Sequence, residues 1–67
     1  MTETLVDVFM KEQIRVRELL GVYKEIGPAG AFGAAMIEQV LQRADKAAIE
    51  GDAVAIMAAL GELKECA

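Results

Sequence analysis

Few side chains in this sequence are suited to chemistry, and the most distinctive of them surround one turn. The segment from Gly27 to Gly33 contains three of the six glycines and the only proline of the chain. A glycine-rich turn that leads into a helix leaves backbone N–H groups unpaired, and the helix dipole adds partial positive charge there. We therefore predict an anion or nucleotide site formed by Gly30, Ala31, Phe32 and Gly33, in which the Phe32 ring stacks on a flat base.

The named phosphate-binding motifs do not match this turn. A P-loop has a lysine and then a serine or threonine after its last glycine, whereas Ala34 and Ala35 follow Gly33. A dinucleotide-binding fingerprint follows a strand, whereas the residues before this turn have helical spacing. The alternative interpretation is that the glycines only allow two helices to pack closely, with Phe32 as a plug in the core.

Three arginines extend the anion hypothesis. When the chain is folded as an antiparallel hairpin at residue 28 or 29, Arg15, Arg17 and Arg43 gather towards its open end, away from the turn. In an antiparallel dimer the turn of one subunit would lie beside the arginines of the other, and guanidinium groups bind anions by bidentate contacts. The alternative is that these arginines pair with surface carboxylates, namely Glu12, Glu18, Glu38 and Asp45.

Catalytic chemistry has little support in the sequence. There is no histidine, the usual general base near neutral pH, and no serine nucleophile. Cys66, the only cysteine, is the penultimate residue, and the nearby Glu62 and Glu65 are expected to raise the pKa of its thiol. We predict that the protein is not an enzyme and that it has no catalytic residue, metal site or cofactor.

Three helices are needed to position these residues. Helical spacing of apolar residues predicts helices over about 3–26, 31–50 and 53–65 in a single domain, 1–67. Thr4 and Asp7 resemble a capping box, with Thr2 as a competing cap, and Gly27 and Gly51 end the first two helices. The fold class is all-α, an antiparallel helical hairpin plus a short third helix that docks on its own chain or on a partner.

The chain has more apolar surface than three short helices usually bury. Apolar residues make up 55% of the sequence, so we expect a homo-oligomer, a dimer or higher, whose interface completes the core. The apolar residues outside the main stripes are candidates for a partner interface, namely Val6, Met10, Ile14 and Val54. Gly21, inside the first helix, is expected to mark a close helix crossing.

Charge and hydropathy restrict the partners. The net charge of −4 argues against general nucleic-acid binding and against binding to an anionic membrane, both of which need a basic face. The longest uncharged run, residues 26–37, is too short to span a bilayer. No basic segment precedes an apolar one at the N-terminus, so no signal peptide is expected. The single cysteine fits a reducing compartment, and we expect a cytoplasmic location.

Two segments resemble a group of known proteins. The run Ile26–Ile37, which reads IGPAGAFGAAMI, and the later segment Gly51–Met57, which reads GDAVAIM, are similar to segments of small uncharacterised proteins of tailed bacteriophages and prophages. The resemblance implies no catalytic residues. It implies a context in which a small protein binds and neutralises a component of the host cell, either a regulatory protein or a nucleotide signal of antiviral defence.

Two functions follow as hypotheses. In the first, a homo-oligomer sequesters an anionic, nucleotide-like signalling molecule of the host, and the missing nucleophiles and bases fit a role without chemistry. In the second, the protein is a small helical inhibitor or adaptor that offers an apolar face to a host regulatory protein. The first is preferred slightly, because the most distinctive segment is a turn and helix start rather than an apolar ridge.

Overall fold

The protein is a unit of three α-helices. The computed structural model describes residues 3–66, and within that range it contains α1 (Leu5–Ile26), a 3₁₀ turn (Gly27–Gly30), α2 (Ala31–Glu50) and α3 (Ala53–Glu65). No strand occurs in this part of the chain. The all-helical architecture with a hairpin and a short third helix is therefore confirmed.

The first helix begins two residues later than predicted. Thr4 has an extended backbone and is the N-cap of α1, which leaves Glu3 outside the helix. Its hydroxyl accepts a hydrogen bond from the Asp7 N–H at 3.2 Å, and the Asp7 carboxylate accepts one from the Thr4 N–H at 3.3 Å. This is the predicted capping box, which satisfies two otherwise unpaired donors. The competing cap, Thr2, lies outside the described residues.

Glycines with positive φ end the first two helices. Gly27, at φ 83°, donates its N–H to the Lys24 carbonyl, and Gly51, at φ 68°, donates to the Ala47 carbonyl. Side chains at these positions would be strained, which explains why glycine occupies both. Asp52 then starts α3 by accepting a hydrogen bond from the Val54 N–H at 3.0 Å.

The core lies where the three helices meet. α3 packs against both α1 and α2 of the same chain, so it docks within its own subunit. The buried residues of the core cluster are Phe9, Val16, Ile37, Val40, Leu41, Ala44, Ala47, Ile56, Ala59 and Leu63. Phe32, which the alternative interpretation of the turn placed in the core, is exposed. The core face of α2 instead runs through Ala34, Ile37 and Leu41, whose small and branched side chains allow close packing.

The third helix is too short to cover the whole hairpin. α3 has 13 residues, whereas α1 has 22 and α2 has 20. The C-terminal end of α3 is tied to the middle of α1, because the Arg15 guanidinium donates to the carbonyls of Leu63, at 2.8 Å, and Cys66, at 3.1 Å. The part of the hairpin next to the 3₁₀ turn therefore extends beyond the end of α3.

Candidate functional site

The glycines of the turn are placed against Tyr23 of α1. Gly30 is buried, and a Cβ built on it would overlap the backbone carbonyl oxygen of Tyr23. A Cβ on Gly33 would lie 2.5 Å and 2.6 Å from two carbons of the Tyr23 ring. Both glycines thus make room for a close contact between α1 and the start of α2. This is the packing role that the sequence left open as the alternative to a ligand site.

The start of α2 also has fewer free donors than predicted. The 3₁₀ turn runs directly into the helix, and the N–H of Ala31 donates to the carbonyl of Pro28. The expectation that the Ala31 N–H is unpaired is therefore wrong. The physical reason is that a 3₁₀ turn supplies carbonyls one residue closer than an α-helix does, so it satisfies donors at the helix start.

Phe32 does not plug the core. Its side chain is 79% exposed, and it follows the 3₁₀ turn at the beginning of α2. The ring is accessible for stacking on a flat molecule or for contact with another protein. Exposure of a large aromatic side chain is informative because burial of such a residue usually contributes strongly to stability.

Each of the three arginines already has a carboxylate partner. Arg15 contacts Glu12 at 2.5 Å, and Arg17 contacts Asp45 at 2.6 Å, as the alternative interpretation expected. Arg43 contacts Glu62 of α3, a pair that the sequence did not predict, and its Nε and Nη2 both donate to this carboxylate. The hydrogen bond that the guanidinium donates to Glu62 raises the pKa of Arg43. The three side chains remain partly exposed, and their carboxylate partners offset the positive charge that an anion would meet.

A groove opens where α3 ends and the hairpin continues. It has a volume of about 340 Å³, within the range of small ligand pockets. We call it the open groove, and its lining residues come from all three helices, namely Tyr23, Gly33, Met36, Ile37, Val40, Arg43, Glu62, Glu65 and Cys66. It brings Gly33 and Arg43 of the predicted site together within one chain, although the hairpin argument placed the arginines away from the turn. Arg15 and Arg17 do not line it.

The open groove has apolar walls and an acidic rim. Tyr23, Met36, Ile37 and Val40 provide carbon-rich surface. The charged groups that line it are one guanidinium and two carboxylates, and the guanidinium is already bound to one of the carboxylates. The carbonyls at the C-terminal end of α3 lie at the same place, and those of Leu63 and Cys66 accept hydrogen bonds from the Arg15 guanidinium. The paired charges and the apolar walls favour an apolar occupant over an anion.

Cys66 lines the groove, and the pKa of its thiol is raised. Burial is the largest cause and raises the pKa of the Cys66 thiol. The Arg15 guanidinium lowers this pKa, whereas the carboxylates of Glu62, Glu65 and Glu12 raise it further. The thiol lies 3.6 Å from the Glu62 carbonyl. Because the thiolate is the reactive form, this environment does not activate a nucleophile.

The four residues predicted as a partner interface are all exposed. The exposed fractions are 52% for Val6, 54% for Met10, 57% for Ile14 and 75% for Val54. Gly21 has no atom of a packed neighbour within 4 Å of a Cβ built on it. The close helix crossing predicted there is therefore not formed between the helices of this chain.

Within residues 3–66, no group of three or more acidic, cysteine or histidine side chains is arranged to hold a metal ion. No helix in that range combines the length and apolar character needed to cross a bilayer. Comparison with protein-family models, with curated proteins and with solved structures gave no match.

Sequence reasoning missed the open groove, although one signal was present. The predicted third helix was several residues shorter than the two before it, and helices of unequal length leave one end of a bundle uncovered. The contributions of Tyr23, Met36 and Glu62 could not be read from spacing, since they depend on how the three helices are rotated about their axes.

Proposed function

We propose that this protein is a non-enzymatic binding module that holds an apolar helical segment of another protein in the open groove. The observation that carries the proposal is the apolar wall of the open groove beyond the end of α3, formed by Tyr23, Met36 and Val40. The open groove lies between α1 and α2 and begins where α3 ends. A groove of this shape can accept an amphipathic helix, which would continue the direction of α3. The partner class is a regulatory protein of the host cell, as the resemblance to phage proteins implies.

Charge supports a protein segment over an anion. The carboxylate of Glu65, which has no ion-pair partner among residues 3–66, favours a lysine or an arginine in the partner. The neighbouring exposed side chains of Phe32 and Met36 extend the apolar area at the mouth of the groove. Aromatic and methionine side chains are enriched in protein interfaces.

The test compares two methionine variants. Met36→Glu places a carboxylate in the open groove, whereas Met57→Glu changes the same residue type at an exposed position of α3 that does not line it. The parent and both variants are used for affinity capture from bacterial lysate. Each captured protein is identified by mass spectrometry, purified and titrated against all three chains by calorimetry.

The expected result is a protein that binds the parent and the Met57→Glu variant, with at least about tenfold weaker binding to Met36→Glu. Equal binding to all three chains would place the interface elsewhere. The absence of any protein with this pattern would contradict the proposal. Circular dichroism of both variants must retain the helical spectrum, since both positions are solvent-accessible.

The second candidate is sequestration of an anionic, nucleotide-like signalling molecule by a homo-oligomer. The observation that favours it is the exposed ring of Phe32 beside Gly33, because base stacking on an accessible aromatic ring is worth about 1–3 kcal/mol. Native mass spectrometry of protein purified from bacteria would detect retained mass in the nucleotide range. Loss of that mass in both Phe32→Ala and Arg43→Ala would support this candidate. Gly30→Val is unsuitable as a test, because Gly30 packs on Tyr23.

A further inference from the structure

The outer face of α1 carries an apolar stripe that no other part of the described chain covers. Val6, Met10 and Ile14 follow one another at intervals of four residues, and each is more than half exposed. Gly21 lies seven residues after Ile14, which is two turns further along the same face. We call these four residues the α1 outer stripe. None of them lines the open groove.

Gly21 is the unusual member of this stripe. A glycine inside a helix destabilises it by about 1 kcal/mol relative to alanine. A Cβ built on Gly21 meets no packed neighbour within 4 Å in the described part of the chain. Its backbone has an ordinary helical conformation, so no turn or positive φ requires glycine there. A glycine of this kind, in line with exposed apolar side chains, suits a helix from outside the chain that packs closely on α1.

The charges beside the α1 outer stripe indicate that the helix packing on it is α1 of a second copy of the chain. Lys11 and Glu18 are seven residues apart and lie on the same side of the stripe. Glu18 has no ion-pair partner among residues 3–66, and Lys11 makes an exposed ion pair with Glu3 at 2.7 Å. If two copies of α1 run antiparallel with their midpoint between residues 14 and 15, each Lys11 lies level with Glu18 of the second copy.

We infer that two copies of this chain associate through the α1 outer stripe as an antiparallel, two-fold symmetric dimer. In this arrangement the two Ile14 side chains meet at the axis. Met10 of each copy lies level with residue 19 of the other copy. Its side chain inserts beside Gly21 of that other copy, where the absence of a side chain leaves room. A shallow hollow of about 420 Å³ on this face, lined by Met10 and Ile14 together with the charged residues Glu3, Asp7 and Lys11, receives the facing side of the second helix. Two Lys11–Glu18 pairs, one on each side of the axis, set the direction and register.

This interface is independent of the open groove, so the dimer and the proposed function stand or fall separately. The test is sedimentation equilibrium of the full chain over a range of concentrations, with circular dichroism to confirm that each variant is helical. The parent is expected to be a dimer in reversible exchange with monomer. Ile14→Glu is expected to give monomer, whereas the control Ile49→Glu, at an exposed position of α2, is expected to leave the dimer unchanged.

Charge exchange tests the register. Lys11→Glu and Glu18→Lys each place like charges opposite one another, and each is expected to weaken association about tenfold. The double variant restores opposite charges and is expected to recover the parent dissociation constant within about twofold. Gly21→Leu is expected to weaken association at least about tenfold, although the separate chain has space for that side chain.

Three results would overturn the inference. The first is a parent that stays monomeric at all concentrations. The second is a dimer that Ile14→Glu does not dissociate. The third is a double charge exchange that is no tighter than the two single variants, since this would exclude the antiparallel register.

Discussion

The aromatic ring of Tyr23 occupies the space that a Cβ on Gly33 would need, with two ring carbons 2.5 Å and 2.6 Å from that point. The backbone of the same tyrosine stands against Gly30, one turn earlier along the chain. Tyr23 of α1 therefore fixes how closely the start of α2 approaches α1. The glycines of this turn are required by packing, and the same packing forms one wall of the open groove.

The packing role of the turn predicts opposite effects for two glycine substitutions. Gly30→Ala is expected to lower the free energy of unfolding by about 1–3 kcal/mol, because its methyl group overlaps the backbone of Tyr23. Gly61→Ala is the matched control in α3, where a Cβ meets no neighbour, and it is expected to raise that free energy by about 0.5–1 kcal/mol. Urea unfolding followed by circular dichroism measures both. A stabilised Gly30→Ala variant would refute the close contact.

The features of the fold that could be predicted from the sequence are those set by local rules. The helix ends followed from local rules, because Thr4, Gly27 and Gly51 act through their own backbone and their nearest neighbours. The exposure of Val6, Met10, Ile14 and Val54 also followed from helical spacing. These features depend on the chain within a few residues.

The candidate site depended on contacts that spacing does not specify. The pairing of Arg43 with Glu62 and the approach of Tyr23 to Gly33 require the relative rotation and height of three helices. Spacing left Phe32 as either a stacking ring or a core plug, and the rotation of α2 places it at the surface. Spacing also could not show that Gly30 and Gly33 lie against Tyr23.

Arg15 predicts a local effect at the end of α3. Its guanidinium donates to the carbonyl of Leu63, which also accepts from the Cys66 N–H, and to the carbonyl of Cys66. It also complements the negative end of the helix dipole. Arg15→Ala is expected to destabilise the fold by about 1 kcal/mol, since the side chain is partly exposed. Hydrogen exchange should show the loss of amide protection in the last turn of α3.

The control for this experiment is Arg17→Ala. Arg17 pairs with Asp45 on the surface and does not contact α3 in the described residues, so its loss is expected to change stability by less than about 1 kcal/mol. Amide protection at the end of α3 should be the same as in the parent. Equal loss of protection in both variants would show that Arg15 does not hold this end of the helix.

The left-handed conformation of Gly51 predicts a difference between two substitutions at one position. Gly51→Ala is expected to destabilise the protein by about 1 kcal/mol, because a Cβ is disfavoured at φ 68° and ψ 19°. Gly51→Asn is expected to lose less, since asparagine tolerates this region better than other residues with side chains. Thermal unfolding of the two variants measures the difference. If alanine and asparagine are equivalent here, the αL conformation is not what selects glycine.

The raised pKa of Cys66 predicts that its thiol is slow to react in the folded chain. Iodoacetamide alkylates the thiolate, so the pH at which the rate is half-maximal is expected to be higher in the folded protein than in urea. Arg15→Gln is expected to move this midpoint higher still, because Arg15 is the group that lowers the pKa.

The raised pKa of Cys66 also makes the free energy of unfolding depend on pH. A group whose pKa is raised on folding contributes stability below its unfolded-state pKa and loses that contribution as the pH rises through the folded pKa. The parent should therefore lose stability in the alkaline range relative to a Cys66→Ala variant, whose residue 66 does not titrate. Urea unfolding at several alkaline pH values measures this difference. Equal alkylation midpoints in the folded and unfolded chain, together with parallel stability curves for parent and variant, would show that burial of the Cys66 thiol does not perturb its ionisation.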